Sequence, residues 1–424
     1  MLYHLLRHAR CISLVFVCLV MLLPSAAIVK AHETSGAPLP WSHGRLLSGD
    51  WYGWRNTLNR RGITPYATYT TALLGNPVGG QRRGFAYSGD LDVGVAVDLE
   101  RLWGLPGLVL TASGSWRSGR DLSAQAIGNI FTAAQTVGGT TIRLHNLHLE
   151  QSLLDDQLSL LFGRVGMGDE FLTSPLYENF VQTAFNGNVF GIDANLLSFT
   201  SYPDASWGFR AKAELNERWY VMGGVYYSDD SLSENKTHGV DFSLRSSAGV
   251  TAIGQLGYRH NQRQASTGLP GNYAIGGYYD SGAFPDFSSP RQKETSGNYA
   301  LYVMLDQTVY REGDGEQGLI PFVTASFAPE QDRNTFPYFF ATGLVYQGLF
   351  PGRDSDVAAL GLAYGSFSKH LRNQDFELVV ELNYAIALTS WLTIQPAVQY
   401  IMNPAGLDDV SDAVVIGAQI IVNL

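Results

Sequence analysis

Near its C-terminal end the chain carries three runs in which apolar residues return at every second position. In Leu378–Leu388 the even positions are Leu, Val, Leu, Tyr, Ile and Leu, and the odd ones include Glu381, Asn383, Ala385 and Ala387. In Leu392–Met402 the even positions are Leu, Ile, Pro, Val, Tyr and Met, with Thr393, Gln395 and Gln399 between them. Val414, Ile416, Ala418, Ile420, Val422 and Leu424 continue the pattern. A period of two is the mark of a strand with one apolar face. Strands of a soluble sheet are usually about 5–6 residues long, whereas a tilted membrane-spanning strand needs about 9–11. These runs have the membrane length. Lipid offers no hydrogen bonds to an open sheet edge, so such strands must close into a barrel.

The pattern recurs upstream. Leu108–Trp116 alternates; Leu147–Leu153 and Leu158–Phe162 form a hairpin around Leu154–Gln157; Trp207–Leu215 turns at Asn216 and Glu217 into Trp219–Tyr227. Tight turns alternate with long polar stretches at Ser118–Thr141, Gly166–Ser206, Asp229–Ser246 and Arg311–Gly318, as expected of short turns at one rim of a barrel and long loops at the other. Trp116, Trp219, Tyr227, Trp391 and Tyr400 are expected at the lipid–water boundaries. The fold class is therefore all-β, a transmembrane antiparallel β-barrel of about 16 strands. Pro396 removes a ladder donor in mid-strand, which predicts a bulge or bend there.

The N-terminus has another character. Arg7 and Arg10 precede the apolar run Cys11–Leu23, which Pro24 and Ser25 end before a series of small residues. That is the layout of a secretory signal peptide, cleaved after Ala31 or Ala27, and the run is too short to span a bilayer. Both cysteines, Cys11 and Cys18, lie in it, so the exported chain is expected to hold no disulfide. Removing residues 1–31 takes away Arg7, Arg10 and Lys30 and no acid, which moves the net charge from −10 to −13. A balance so acidic argues against a nucleic-acid partner. The expected organisation is a signal peptide over 1–31, a periplasmic segment with a short helix over 32–62, and a barrel over 63–424. In the helix, Asp50 is placed to cap the start and Gly62 the end, and Trp51, Trp54 and Leu58 share one face expected to pack on the barrel. Arg55, Arg60 and Arg61 are expected to turn toward acids or the lumen.

Seven stretches, in order, resemble the OprB-like carbohydrate-selective porins of Gram-negative outer membranes. They begin with "GDWYGWRNTLNRRGI" and include "LHLEQSLLDDQLSLLFGR" (Leu147–Arg164), "LPGNYAIGGYYDSGAF" (Leu269–Phe284) and "ELVVELNYAIALTSWLTIQPAVQYIMNP" (Glu377–Pro404). The resemblance runs over about 48–424. It implies a 16-stranded barrel in the outer membrane and passive diffusion of sugars, glucose above all, into the periplasm. It also implies the lipid and lipopolysaccharide of that membrane and its assembly machinery as partners, and a monomer or loose homo-oligomer. The alternative is a general porin for small solutes, or a non-channel β protein. Two positions depart from the family's habit. Leu424 stands where an aromatic is common, and Gln255 stands where a glutamate is frequent.

A neutral sugar presents hydroxyls at its edge and C–H faces above and below, so a site for it needs fixed polar groups and aromatic rings. Binding must also be weak enough to release the solute. The stretch after Arg164 fits best. It runs about forty residues without strand pattern and mixes Asp169, Glu170, Asn179, Asn186 and Asn188 with Tyr177 and Phe185. A loop of that length and aromatic content is expected to be ordered and functional. We expect it to fold into the barrel and narrow the pore, with Arg164 on the adjoining wall. Arg333, Arg353 and Asp356 form a second set, either pore-lining or holding a rim by salt bridges. No enzyme site, cofactor motif or metal set is evident. His145 and His148 are three apart, on opposite faces of a strand unless a bulge intervenes.

Overall fold

In the computed structural model the described residues are 45–196, 198–262, 268–289, 293–313 and 315–424. The leader-like segment 1–31 and residues 32–44 lie outside them. The strands are β1 (Ile63–Gly80), β2 (Gly84–Asp98), β3 (Leu108–Gly119), β4 (Thr141–Leu153), β5 (Leu158–Val165), β6 (Ser206–Glu214), β7 (Trp219–Ser228), β8 (Gly249–His260) and β9 (Gly271–Pro285). They continue with β10 (Glu294–Gln307), β11 (Tyr310–Arg311), β12 (Gly318–Phe327), β13 (Tyr338–Gln347), β14 (Val357–Ser366), β15 (Phe376–Ala387), β16 (Leu392–Met402) and β17 (Ser411–Asn423). The two-residue β11 prolongs the edge that β10 offers to β12, so the barrel is a closed antiparallel one of 16 staves. Closure is made by β1, which pairs with β2 on one side (Tyr69↔Leu91) and with β17 on the other (Tyr69↔Val422).

Alternation sorts the side chains as the sequence predicts. Tyr338, Phe340 and Leu344 of β13 point outward, while Phe339, Ala341 and Val345 point in. In β15 Leu382 faces out and Glu381 and Asn383 are buried within. No helix among the described residues is long and apolar enough to cross a membrane; the strands do so. Of the expected boundary aromatics, Trp116, Trp219 and Tyr400 are exposed on the outer surface, but Trp391 is buried at the β15–β16 turn. Pro396 produces no bulge. Its strand keeps register with β17 (Pro396↔Ala418), and pairing with β15 skips Tyr384 and Ala385 before resuming at Ile386↔Ile394 in the same register. The missing donor costs a gap in one ladder, not a shift.

The connections alternate as expected, except that the Arg311–Gly318 stretch, expected among the long loops, joins β10 to β12 at the tight-turn rim. One rim has tight turns such as Leu154–Gln157 and Leu388–Trp391; the other carries the 120–140, 166–205 and 229–248 loops. The N-terminal helix sits at the turn side. It is shorter than predicted: a 3-10 turn over Trp51–Gly53, with Trp51 and Tyr52 at positive φ, then an α-helix over Trp54–Arg60. The N-cap position of the α-helix is Gly53, not Asp50 as expected, although the Asp50 carboxylate still accepts the Asn56 N–H at 3.3 Å. The packing face differs, however. Trp54 is exposed and Arg55 is the buried member. The Arg55 guanidinium lies against the Trp51 ring at 4.6 Å and donates to the Ser48 hydroxyl (3.1 Å) and the Leu424 carbonyl (3.3 Å). Burial pushes its pKa down to about 10, against the pull of Asp50, so it stays charged at neutral pH.

Candidate functional site

The lumen is divided into two unlike walls. The first is covered. The 166–205 segment folds into the barrel, as predicted, and lies alongside the 120–140 loop: the Gln135 N–H donates to Val181 O (3.0 Å) and the Thr183 N–H to Thr132 O (3.1 Å). Together they are stapled to β15 and β16. Glu381 accepts the backbone N–H groups of Val181 and Gln182, both at 2.9 Å, and the amides of Asn383 (2.7 Å) and Gln399 (3.1 Å). Glu377 does the same for Ile130 (2.9 Å), Phe131 (2.7 Å) and Ala405 (2.5 Å). Asn383 and Gln395 both reach the Asn179 carbonyl, at 3.0 and 2.8 Å. A buried carboxylate without a cation is tolerable only when fixed donors surround it, and both glutamates have them.

The aromatic residues of the inserted segment serve this docking. Phe180 packs on Phe185 (4.7 Å) and Phe322 (5.7 Å), Tyr177 on Phe322 (5.5 Å), and Phe131 on Phe339 (5.9 Å). Tyr177 and Phe185 are therefore buried in the plug rather than offered to a solute. Asn186 and Asn188 close the segment on itself through Phe180 O (2.5 Å) and Gly168 O (2.6 Å). Arg164 departs most from expectation. It is 1% exposed and spends its donors on Asp241 O (2.8 Å) and Ala205 O (2.7 Å), clamping two loops.

The second wall, from β2 to β8, is strongly charged, and part of that charge is paired with the inserted segment. Arg210 bridges Glu170 (2.6 Å) and Glu150 (2.8 Å). Arg259 grips Glu214 with two bonds, at 2.6 and 3.0 Å, and Arg117 lies 3.7 Å from Asp90. The Asp169 carboxylate meets His145 Nε2 at 2.8 Å and accepts from Asn146 at 3.3 Å. Here a bulge matters. Between Ala112↔Leu147 and Gly114↔Leu144 two residues of β4 oppose one of β3, so His145 faces inward and, beyond the bulge, Asn146 and His148 do too. Asp92 lies within electrostatic reach of His145 and Asp169, as His148 does of Asp169. Asp92 Oδ1, Asn146 Oδ1, His148 Nδ1 and the Tyr202 hydroxyl have no hydrogen-bond partner among the described residues. Buried polar atoms are nearly always satisfied, so this shielded group stands out from the rest of the wall. No set of three or more acidic, histidine or cysteine side chains among the described residues is arranged to hold a metal.

Tyrosine rings lie flat along this wall over glycines. A Cβ on Gly94, Gly257 or Gly276 would overlap the rings of Tyr66, Tyr220 and Tyr302 respectively. Gln255 joins two of them, donating to Tyr220 Oη and accepting from Tyr302 Oη, each at 2.9 Å. Gln255 lies on the inward, buried phase of β8. The second predicted set lines no pore. Arg333 holds Asp332 (2.8 Å) and Gly297 O (2.5 Å) in the loop-side rim. Arg353 pairs with Asp356 at 2.6 and 2.8 Å at the opposite, turn-side rim. Burial alone would raise the Asp356 pKa, but donors from Arg353, Tyr384 and the Ala387 N–H hold it below the usual carboxylate range.

A narrowed 16-stave barrel with paired charges on one wall has close parallels. The sequence matches the model described as "Carbohydrate-selective porin, OprB family" over residues 82–424. The chain belongs to the OprB family. It is 27% identical to Porin B of Pseudomonas aeruginosa over 89% of this chain and 90% of that protein. It is 24% identical to a putative porin, QuiX, of Acinetobacter baylyi, over 95% and 98% of the two chains. The high-pH structure of Pseudomonas putida OprB superposes with a TM-score of 0.85 at 25% identity, over 90% of this chain and 99% of that one. Family and fold are those of a channel, and this OprB-family protein is a carbohydrate-selective porin of the outer membrane.

Proposed function

We propose that this OprB-family porin passes single neutral sugars, glucose-sized, along the lane between the inserted segment and the β2–β8 wall. Asp92, Asn146, His148 and Asp169 make the contacts at the narrow point. The carrying observation is the clustering of Asp92, Asp169, His145 and His148 beside the Tyr66 ring. Carboxylate and amide oxygens accept sugar hydroxyls, an imidazole does either, and the ring covers a C–H face. Arg117 and Arg210 are each paired with carboxylates, so the lane offers alternating dipoles more than net charge. That suits a neutral polyol and keeps binding weak enough for transit. The tight-turn rim, with the Trp54–Arg60 helix, faces the periplasm.

The test is single-channel current in a planar bilayer with glucose titrated in. Saturable block by glucose, absent with a matched non-sugar osmolyte, supports the reading; a channel indifferent to glucose overturns it in favour of a general porin. Two further inferences accompany it. The leader is removed after Ala31 or Ala27, so the purified protein begins at His32 or Ile28; an intact mass retaining residues 1–27 contradicts this. The outward faces make a continuous apolar belt, which supports a lipid-surrounded monomer, and light scattering of the detergent-solubilised protein at a multiple of the chain mass would reverse that.

A further inference from the structure

A separate cavity opens at the loop-side mouth, away from the narrow lane. It has a volume of about 500 Å³ and lies between the 229–248 loop, the loop-side ends of β8–β10 and Ser198 of the inserted segment. That volume is within the range of small-molecule sites, about 300–1,000 Å³. Its lining is dense in hydroxyls, with Ser228, Ser231, Thr237 and Ser247 among them. The frame is fixed. Arg245 binds Asp229 (2.6 Å) and Asp241 (2.5 Å), and its N–H donates to the Tyr227 hydroxyl (2.6 Å). At the floor, fully buried Asp280 accepts from Ser198 (3.2 Å), Thr251 and the Gly282 N–H (2.6 Å).

Charge decides what such a cavity takes. The lining holds six carboxylates and two cations. Both cations are consumed within the lining, Arg245 by Asp229 and Asp241 and Lys236 by Glu234. Asp230, Asp280 and Glu294 have no ion pair among the described residues. Asp280 is sealed by its hydroxyl donors, whereas Asp230 and Glu294 are exposed. Hydroxyls and free carboxylates around one concavity suit a polyol that brings its own positive charge. Resting on the sugar-channel reading above, we propose that this cavity is a loop-side saccharide site, tightest for a sugar bearing an ammonium group and closed to acidic sugars.

The experiment uses the whole porin in a planar bilayer, at low ionic strength and mildly acidic pH, with sugars added from the loop side. The probes are glucosamine, N-acetylglucosamine, glucose and glucuronate. Glucosamine should half-block the current at a concentration about threefold or more below that for N-acetylglucosamine, and the gap should shrink as salt shortens the Debye length from about 30 Å to about 10 Å. Asp230→Asn with Glu294→Gln should abolish the gap and leave glucose block as it was. Both side chains are exposed, so folding is not at issue, and heat-modifiable electrophoretic mobility checks it. A gap that survives the double substitution places the preference elsewhere in the lumen and overturns the proposal, as does no gap at all. Failure of glucose itself to block the unaltered channel is a different result and removes the sugar-channel reading instead.

Discussion

The two walls of the lumen carry similar polar residues to opposite ends. On β15 and β16, Glu377, Glu381, Asn383, Gln395 and Gln399 bond backbone groups of the inserted loops. On β2–β8, Asp90, Glu150 and Glu214 bond arginines, while Arg210 and His145 hold Glu170 and Asp169 of the inserted segment. A carboxylate answered by backbone N–H groups holds a plug and is lost to the solute. A carboxylate answered by an arginine leaves lone pairs and donors at the surface. On the reading proposed above, the bore of the channel is set from one wall and its selectivity from the other.

The largest expected effect breaks the first wall. In Glu381→Ala two buried N–H groups lose their acceptor, at about 1–3 kcal/mol each. The inserted segment should leave β15, conductance should rise severalfold, and protease should cut within 166–205. Unchanged conductance in a folded barrel would mean the staple does not set the bore. The second wall answers differently. Asp92→Asn with His148→Ala should raise the half-blocking glucose concentration about tenfold, equal to about 1.4 kcal/mol, while conductance stays nearly constant. If Glu381→Ala and the Asp92/His148 double substitution act alike, the division between walls is wrong.

Smaller effects sharpen the comparison from outside it. Arg333→Ala and Arg353→Ala, at opposite rims, should leave glucose block and conductance unchanged and lower only the melting temperature. A change in block from either would return them to the pore. Smallest is a pH effect at the turn-side rim. The Asp356 pKa is depressed in the folded state, so its contribution to stability is present above its unfolded value near 3.9 and is lost as pH falls through the folded one. The melting difference between the unaltered porin and Asp356→Asn should thus be full at neutral pH and vanish in acid; a difference that grows in acid would contradict the sign.

Much of the barrel is legible because alternation depends only on the residue itself. Leu392–Met402 is read and found with identical ends. The candidate site is less legible, since it depends on partners. Asp169 and Glu170 meet His145 and Arg210 of the barrel wall, whereas Tyr177 and Phe185 are rings for docking, a role set by Phe322 and its neighbours across the barrel. Asp90 and Asp92 stand on the inward phase of "SGDLDVGVAVD", a signal that was available. His145 and His148 were not recoverable, because a one-residue bulge flips the phase between them. Arg164 looks the same in sequence whether it meets a sugar or, as here, two carbonyls.

The flat tyrosines carry a last consequence. Gly94, Gly257 and Gly276 sit against the rings of Tyr66, Tyr220 and Tyr302, so a larger residue at any of them must displace its ring. A methyl group added at Gly94 would push Tyr66 toward the channel axis and narrow the gate without altering a single chemical group on its surface. Drift at such hidden positions gives relatives a way to admit larger or smaller cargo while every residue that handles the cargo stays the same.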